Sequence, residues 1–492
     1  MTERTFSALL AERATQAPDA PIVTDREGVM TASELDAAAT AFAHELLAHG
    51  VKRDDTVVVS LPNGRDVVTA CFGIWRAGAT PQPIAADLPI AQRQHLERIA
   101  PPAAAVGTRP ASTGVPWLPD VRVAARAGHL PDAAAACWKA LATSGSTGRP
   151  KIVRAAAPAT LDPSRPVAAF LPRSATQIVS GPLWHSAVFT YAFRGLLTGH
   201  RLVILDRFDA ERWIDTVEKE GVTWGLLVPT MMARLLRVDP ERRGSERISR
   251  IDRVLHMGAP CTPEVKRAFL EWLGPERVDE VYAGSESNGL THITGTQWLE
   301  RPGSVGRPIG GTVISIRDAR GTEVPTGERG SIWMRRGDVA AYSYAGAPSR
   351  RDEEGWDTLG DLGHVDADGF LFLHDRADDV IRRGAETIDP AAVEAALCSH
   401  PGVIEAVAFG VADDDLGQCV HAAVHLADPG ALSAVADVAR ERLGRHAPVA
   451  LHVSPTPLRN EAGKVRRSSL AERFGPDAPA SRTNATRPPA DL

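Results

Sequence analysis

Nine residues, Thr143-Ser-Gly-Ser-Thr-Gly-Arg-Pro-Lys151, alternate hydroxyls with glycines and close on two basic side chains. Glycines let a backbone bend until its N–H groups converge on an anion. Ser144, Ser146 and Thr147 can donate to phosphate oxygens, Gly145 and Gly148 supply the bends, and Lys151 brings positive charge. The spacing is not that of a Walker loop, because no Gly-Lys-Ser/Thr follows the first glycine at the required distance. A Ser/Thr/Gly run also serves as a flexible turn; the apolar lead-in Trp138–Ala142 favours a strand feeding a phosphate site.

Other residues have types suited to partner a phosphate held there. Glu286 ends Tyr282-Ala-Gly-Ser-Glu286, where a carboxylate can hold Mg2+ together with phosphate oxygens; the alternative is a surface acid. Asp361, in Trp356-Asp-Thr-Leu-Gly-Asp361, has the two acceptors that suit vicinal ribose hydroxyls, or it is a turn aspartate. Arg376 stands in the charged run Asp375–Asp379, either reaching ribose or phosphate or forming a solvated linker in which Asp378 is a hinge. Lys464, in Asn460-Glu-Ala-Gly-Lys464, can stabilise charge developing on a transferring phosphorus, or belongs to a basic surface stretch from Arg459 to Arg467. His185, in Gly181-Pro-Leu-Trp-His185, lines a pocket or is a packing residue.

Elements must position these groups. Thr31-Ala-Ser-Glu34 has the form of a capping box, and Leu35, Ala39, Phe42 and Leu46 follow at helical spacing up to Gly50. Strand and helix then alternate at short intervals, Thr56–Leu61, Asp66–Trp75 and Ala79–Ile84, which predicts an α/β layered sheet. Residues 101–136 lose periodicity and read as a surface segment. Val167–Leu171, Leu202–Leu205, Gly225–Val228, Ser249–Met257 and Val278–Tyr282 read as further strands, and Pro263–Leu273 as a helix. In such sheets ligands bind beyond the carboxyl ends of the strands. Past residue 300 the texture turns to short β-strands with glycine turns, and Asp366–Gly369 reads as a hairpin turn rather than a calcium loop. A compact module follows from about residue 377, with Asp389-Pro390 opening a helix. Residues 475–492 carry no core pattern and read as a disordered tail.

Bulk properties exclude several classes. The 492 residues exceed one ordinary core, so two or more domains are expected, and 43% hydrophobic with 24% charged residues is globular composition. A net charge of −6 provides no basic field for nucleic acid. Five scattered cysteines form neither a disulfide frame nor a zinc site, and no apolar run approaches the roughly 18 residues of a membrane span, so the expectation is a cytoplasmic protein.

The order of these motifs resembles that of the adenylate-forming superfamily: acyl-CoA synthetases, peptide-synthetase adenylation domains and luciferases. The motifs in order are Thr143–Lys151, Pro182-Leu-Trp-His185, Tyr282–Glu286, Arg301-Pro-Gly-Ser-Val-Gly-Arg-Pro308, Gly360-Asp361, the hinge region Arg376–Pro390 and Gly463-Lys464. The likeness spans about residues 5–470, and its middle is most similar to bile-acid and fatty-acyl CoA ligases. It implies a large N-terminal domain (1–375) of two α/β subdomains plus a β-barrel, a hinge at 376–379, and a small mobile α+β domain (380–474). It also implies conversion of a carboxylic acid and ATP to acyl-AMP and pyrophosphate, with Mg2+. Transfer to CoA or to the phosphopantetheine of an acyl carrier protein would follow. Thr143, Ser144, Thr147 and Lys151 would hold phosphates, and Ser285 the α-phosphate or carboxylate. Glu286 would hold Mg2+, Asp361 and Arg376 the ribose, and Gly258, Ala259, Pro260 and Tyr282 the adenine. Lys464 would act at the α-phosphorus. By motif adjacency the acid pocket is placed at Trp184, His185, Val188, Tyr191, Met257 and Gly284, and is expected to be apolar to aromatic. Ile381-Arg-Arg-Gly-Ala-Glu-Thr387 departs from the family pattern at Ala385, where a methyl crowds the channel used by CoA; an amine acceptor, as in amide-forming or diazo-forming relatives, is the second reading. A non-catalytic nucleotide-binding relative is the third, opposed by the presence of Lys464, Glu286 and Asp361.

Overall fold

The computed structural model describes residues 3–124, 130, 134–143, 150–244, 246, 248–376, 379–384, 386–413, 416–460 and 463–474, and for 375 and 376 the backbone alone. Six parallel strands form its centre, in the spatial order Val278–Ala283, Arg253–His256, Trp224–Leu227, Thr176–Val179, Arg201–Ile204, Pro21–Asp25. A second parallel sheet has the order Thr80–Pro83, Thr56–Ser60, Ala104–Gly107, Trp117–Leu118. The antiparallel trio Ala140–Thr143, Lys151–Ala155 and Tyr342–Ala345 carries the two ends of the glycine-rich loop. The β-rich region past residue 300 is continuous with the main sheet, because Leu290–Thr294 pairs with Ser304–Pro308, which pairs with Leu371–Arg376. The C-terminal module is the sheet Val403–Asp413, Gly417–Leu426, Ala450–Val453 with helices Pro390–Cys398, Leu432–Leu443 and Arg467–Phe474.

Local chemistry accounts for many boundaries. Thr31 and Glu34 form the expected reciprocal capping box. Prolines at the first helical turn open Pro229–Leu236, Pro263–Leu273 and Pro390–Cys398, where the missing N–H costs nothing. Asp389 occupies the N-cap position, but its carboxylate makes no capping bond; it accepts from Arg329 Nη2 at 2.9 Å. Two adjacent α/β layers meet over an aromatic cluster: Trp75 is edge-on to Phe6 and Phe193, each at 4.9 Å, and its Nε1 donates to the Trp138 carbonyl at 2.8 Å. Such pairs add about 0.5–1.5 kcal/mol each beyond burial, so this cluster fixes the helix Ser186–Leu197 against the strand entering at Ala140.

Three expectations are corrected. Val167–Leu171 is no strand: Leu171 N bonds back to the Ala168 carbonyl in a tight turn that buries Phe170, and the true strand is Thr176–Val179. Ser249–Met257 shrinks to Arg253–His256. The segment 101–136 is not all surface, since Ala104, Ala105 and Val106 are wholly buried in the second sheet. A strand covered on both faces shows no alternation to read.

Candidate active site

The C-terminal lysine loop is built into the junction between domains. Asn460 N donates to the Lys464 carbonyl at 2.9 Å, Gly463 N to the Asn460 carbonyl at 2.8 Å, and Lys464 N to Asn460 Oδ1 at 3.0 Å. Gly463 adopts φ +71°, in the left-handed region that glycine occupies without penalty. A Cβ placed there would sit 3.5–3.6 Å from Ala259, Thr230 and Val228 of the large domain. Two arginines of the surrounding basic stretch, Arg459 and Arg467, are not on a solvated face, whereas Arg466 is exposed. Arg459 reaches Glu394 at 2.7 Å and Glu405 at 3.7 Å, and Arg467 reaches Glu394 at 2.7 Å and Asp379 at 3.0 Å, all largely buried. These ion pairs hold the chain on both sides of Lys464.

Across the cavity stands Glu286, 8% exposed, in the tight turn closed by Ser287 N to the Gly284 carbonyl. Ser287 takes φ +55°, a conformation costly for a residue with a side chain. A Cβ on Gly284 would lie 2.6 Å from the Leu359 side chain and 2.9 Å from Glu286 Oε2, so a larger residue there would displace the Glu286 carboxylate. Glu286 Oε1 accepts from the Tyr344 hydroxyl at 2.6 Å and lies 3.4 Å from Lys151 Nζ, which sits 3.6 Å over the Tyr344 ring. Oε2 accepts no hydrogen bond among the described residues. Burial and the Glu286 carboxylate together push the Tyr344 hydroxyl pKa strongly upward. Tyr344 was not singled out from the sequence; it lies 58 residues from Glu286, and only the pairing of its strand with Lys151–Ala155 brings them together. Thr143, opposite Lys151 in the strand register, has its Oγ1 buried with no hydrogen-bond partner among the described residues. Ser144, Gly145, Ser146, Thr147 and Gly148 lie outside the described residues, as do Asp378 and Ala385.

Tyr282 and Asp361, predicted separately for adenine and ribose, are joined directly: the Tyr282 hydroxyl donates to Asp361 Oδ2 at 2.7 Å. Hairpin register sets the backbone of Arg376 opposite Asp361. Gly258, Ala259, Pro260, Ser285 and Lys464 open onto the same cavity, of about 1930 Å3.

The acid-pocket residues Trp184, His185, Val188, Tyr191, Met257 and Gly284 also line it. His185 precedes the helix Ser186–Leu197 and packs on Trp184 with ring centroids 3.9 Å apart. Its Nε2 is buried without a partner among the described residues, and burial, then the nearby Lys464 charge, lowers its pKa to about 3, so it is neutral at pH 7. Beyond these six positions the cavity wall also carries polar and cationic side chains that the sequence reading did not single out. Lys139, 4% exposed, donates to Ser186 Oγ at 3.1 Å and Thr190 Oγ1 at 2.6 Å, and Arg194 follows on the same helix. The sequence signal was the i, i+4, i+8 spacing of Ser186, Thr190 and Arg194, a polar stripe on a helix otherwise buried.

With this geometry in view, likeness to known proteins is decisive at the family level. The AMP-binding enzyme family matches residues 10–344, and the AMP-binding enzyme C-terminal domain matches residues 392–464. The chain belongs to the AMP-binding enzyme family. This AMP-binding enzyme is 29% identical to a 2-succinylbenzoate–CoA ligase of Bacillus licheniformis, over 94% of this chain and 98% of that one. It is 29% identical to a sulfoacetate–CoA ligase of Cupriavidus necator, over 95% and 97%. The o-succinylbenzoate CoA synthetase of Bacillus subtilis, solved with its acyl-adenylate intermediate, superposes with a TM-score of 0.80 at 26% identity, covering 96% of this chain and 98% of that one. The same synthetase has been solved with ATP and magnesium, and there the TM-score is 0.77 at 25% identity, over 95% and 100%.

Proposed function

We propose that this protein activates a carboxylic acid with ATP as acyl-AMP, releasing pyrophosphate, and then passes the acyl group to the thiol of CoA or of a carrier protein's phosphopantetheine. The observation that carries the reading is the seat of Gly463 against Val228, Thr230 and Ala259, which sets Lys464 on the cavity that also holds Glu286 and the Tyr282–Asp361 pair. CoA ligases among its relatives support the thiol acceptor.

In the first step a carboxylate oxygen bonds to the α-phosphorus as the bond from phosphorus to the β-phosphate oxygen breaks, and pyrophosphate leaves with the electron pair. The Lys464 ammonium would offset the charge gathering on the α-phosphate. Asp361, oriented by Tyr282, accepts from the ribose hydroxyls, while Thr143 and Lys151 meet phosphate oxygens. Neutral His185 contributes shape and one hydrogen-bonding nitrogen rather than a proton at pH 7. Glu286 is the residue that would hold Mg2+: among the described residues its Oε2 accepts no hydrogen bond, and Mg2+ takes one or two carboxylates together with phosphate oxygens. When bound, Mg2+ neutralises triphosphate charge. In the second step the thiol sulfur bonds to the acyl carbon and AMP departs. Rotation about Asp378 would withdraw Lys464 and present the loop Arg382–Pro390, breaking the contacts of Arg237 with the Val403 carbonyl (2.9 Å) and of Arg329 with Asp389.

Acid-dependent ATP–pyrophosphate exchange tests this. Lys464→Ala should lower exchange by about 10²–10³-fold, the usual cost of losing one charge-stabilising donor; indifference to the change would sink the assignment. Faster consumption of the adenylate by amines than by thiols would move the acceptor to nitrogen.

A further inference from the structure

We infer that the acid activated here carries a second anionic group, which docks on Lys139 and Arg194 in the cavity that Lys464 also lines. This substrate class rests on the adenylation reading above. Lys139 is 4% exposed, and among the described residues no carboxylate lies within ion-pair distance of it or of Arg194. The Arg194 guanidinium makes no hydrogen bond among them either, and it lies over the Trp138 ring, 5.2 Å from its centroid. Lys139 Nζ lies 4.9 Å from the same ring, so one indole lies against both cations. An ammonium has three donors, and Lys139 spends two on Ser186 and Thr190.

Removing a cation from water without a counter-ion costs several kcal/mol, and two side by side repel each other. Proteins meet that cost by pairing, yet the described residues offer no pair. Both side chains instead open onto the cavity that holds the reaction centre. Glu286 is felt from a distance but is engaged by Lys151 and Tyr344, and Arg336, also on the cavity, adds to the positive field. A ligand anion is therefore the missing partner. Burial, reinforced by Arg194, brings the Lys139 pKa down to about 7, the response of an ammonium lacking a counter-charge. Phe170, Val188 and Tyr191 line the same cavity, which suits a short apolar or aromatic spacer in the acid.

The test compares dicarboxylic acids, aliphatic from succinate to suberate together with benzene and phenylalkane dicarboxylates, against their monomethyl esters in pyrophosphate exchange by the full-length enzyme. The ester deletes the second charge and keeps the length. A charge-assisted hydrogen bond of ordinary strength makes the best diacid better than its ester by about 10–100-fold in kcat/KM, expressed mainly in KM. Lys139→Gln and Arg194→Gln should each shrink that ratio, with melting temperatures reporting whether each variant is folded. Esters used as well as or better than the diacids by the wild-type enzyme would overturn the proposal without any variant, and so would an unchanged ratio in both folded variants. Exchange with monoacids and esters alone leaves adenylation standing and removes the second anion. Silence toward every acid removes adenylation, and this substrate class with it.

Discussion

Replacing Tyr282 by Phe removes one oxygen and leaves the ring, so its effect reports on the bond to Asp361. That bond is 2.7 Å long and ends on a carboxylate. Hydrogen bonds to charged groups contribute about 1.5–3 kcal/mol when buried. Asp361 is half-buried, so water reoccupies part of the vacated position and the lower end applies. The loss falls on the orientation of Asp361 toward the ribose. A cost of about 1–1.5 kcal/mol corresponds to about a 5–10-fold rise in KM for ATP, since roughly 1.4 kcal/mol is tenfold. Pyrophosphate exchange with ATP varied at saturating acid should show that rise, with kcat within about twofold because the contact is equally present before and at the transition state. Asp361→Asn, which trades a two-oxygen anion for one acceptor, should be worse. An unchanged KM for ATP, or a rise confined to the acid, would refute the assignment of this pair to the nucleotide.

Arg459→Met leaves buried Glu405 without the cation 3.7 Å away, while Glu394 keeps Arg467. Stability of the C-terminal domain to urea should fall by about 3 kcal/mol, together with exchange activity, and a loss under about 0.5 kcal/mol, the range of an ordinary surface change, would show that the network is not structural. Gly463→Ala has room for its methyl but must hold φ +71°, so it should cost about 1 kcal/mol and slow exchange by loosening the lysine loop; full activity at unchanged stability would refute the strain argument. Folded His185 titrates near 3 against an ordinary 6.5, so between those values the unfolded chain binds a proton that the folded one refuses. Stability therefore falls as pH drops through 6.5 toward 3, and His185→Gln should flatten the melting-temperature profile in that window by at most one proton's worth; identical slopes would contradict the burial of the neutral ring.

What could be read in advance followed the range of the interaction responsible. The capping box at Thr31 and Glu34 closes within four residues, and the proline at residue 390 acts on its own dihedral, so both helices were legible. Motif order brought Glu286, Asp361 and Lys464 to one site even though each alone had an ordinary explanation. Periodicity failed at Ala104–Gly107, where both faces are covered, and at Val167–Leu171, whose apolar run closes on itself as a turn.

The sequence by itself determined the family and the α/β class, and it singled out the groups we propose to handle nucleotide, because those are carried by contiguous motifs and local backbone preferences. Tertiary structure alone decided which charges are paired. Arg459 looked like part of a solvated basic stretch until Glu394, 65 residues earlier, closed on it. Lys139 looked like one polar residue in an apolar strand until Thr190, 51 residues later, met its ammonium and no carboxylate did. Charge type is written in the chain, but the presence of a counter-charge depends on distances that only packing sets. Here packing left a buried lysine and a half-buried arginine facing the cavity for a ligand to complete.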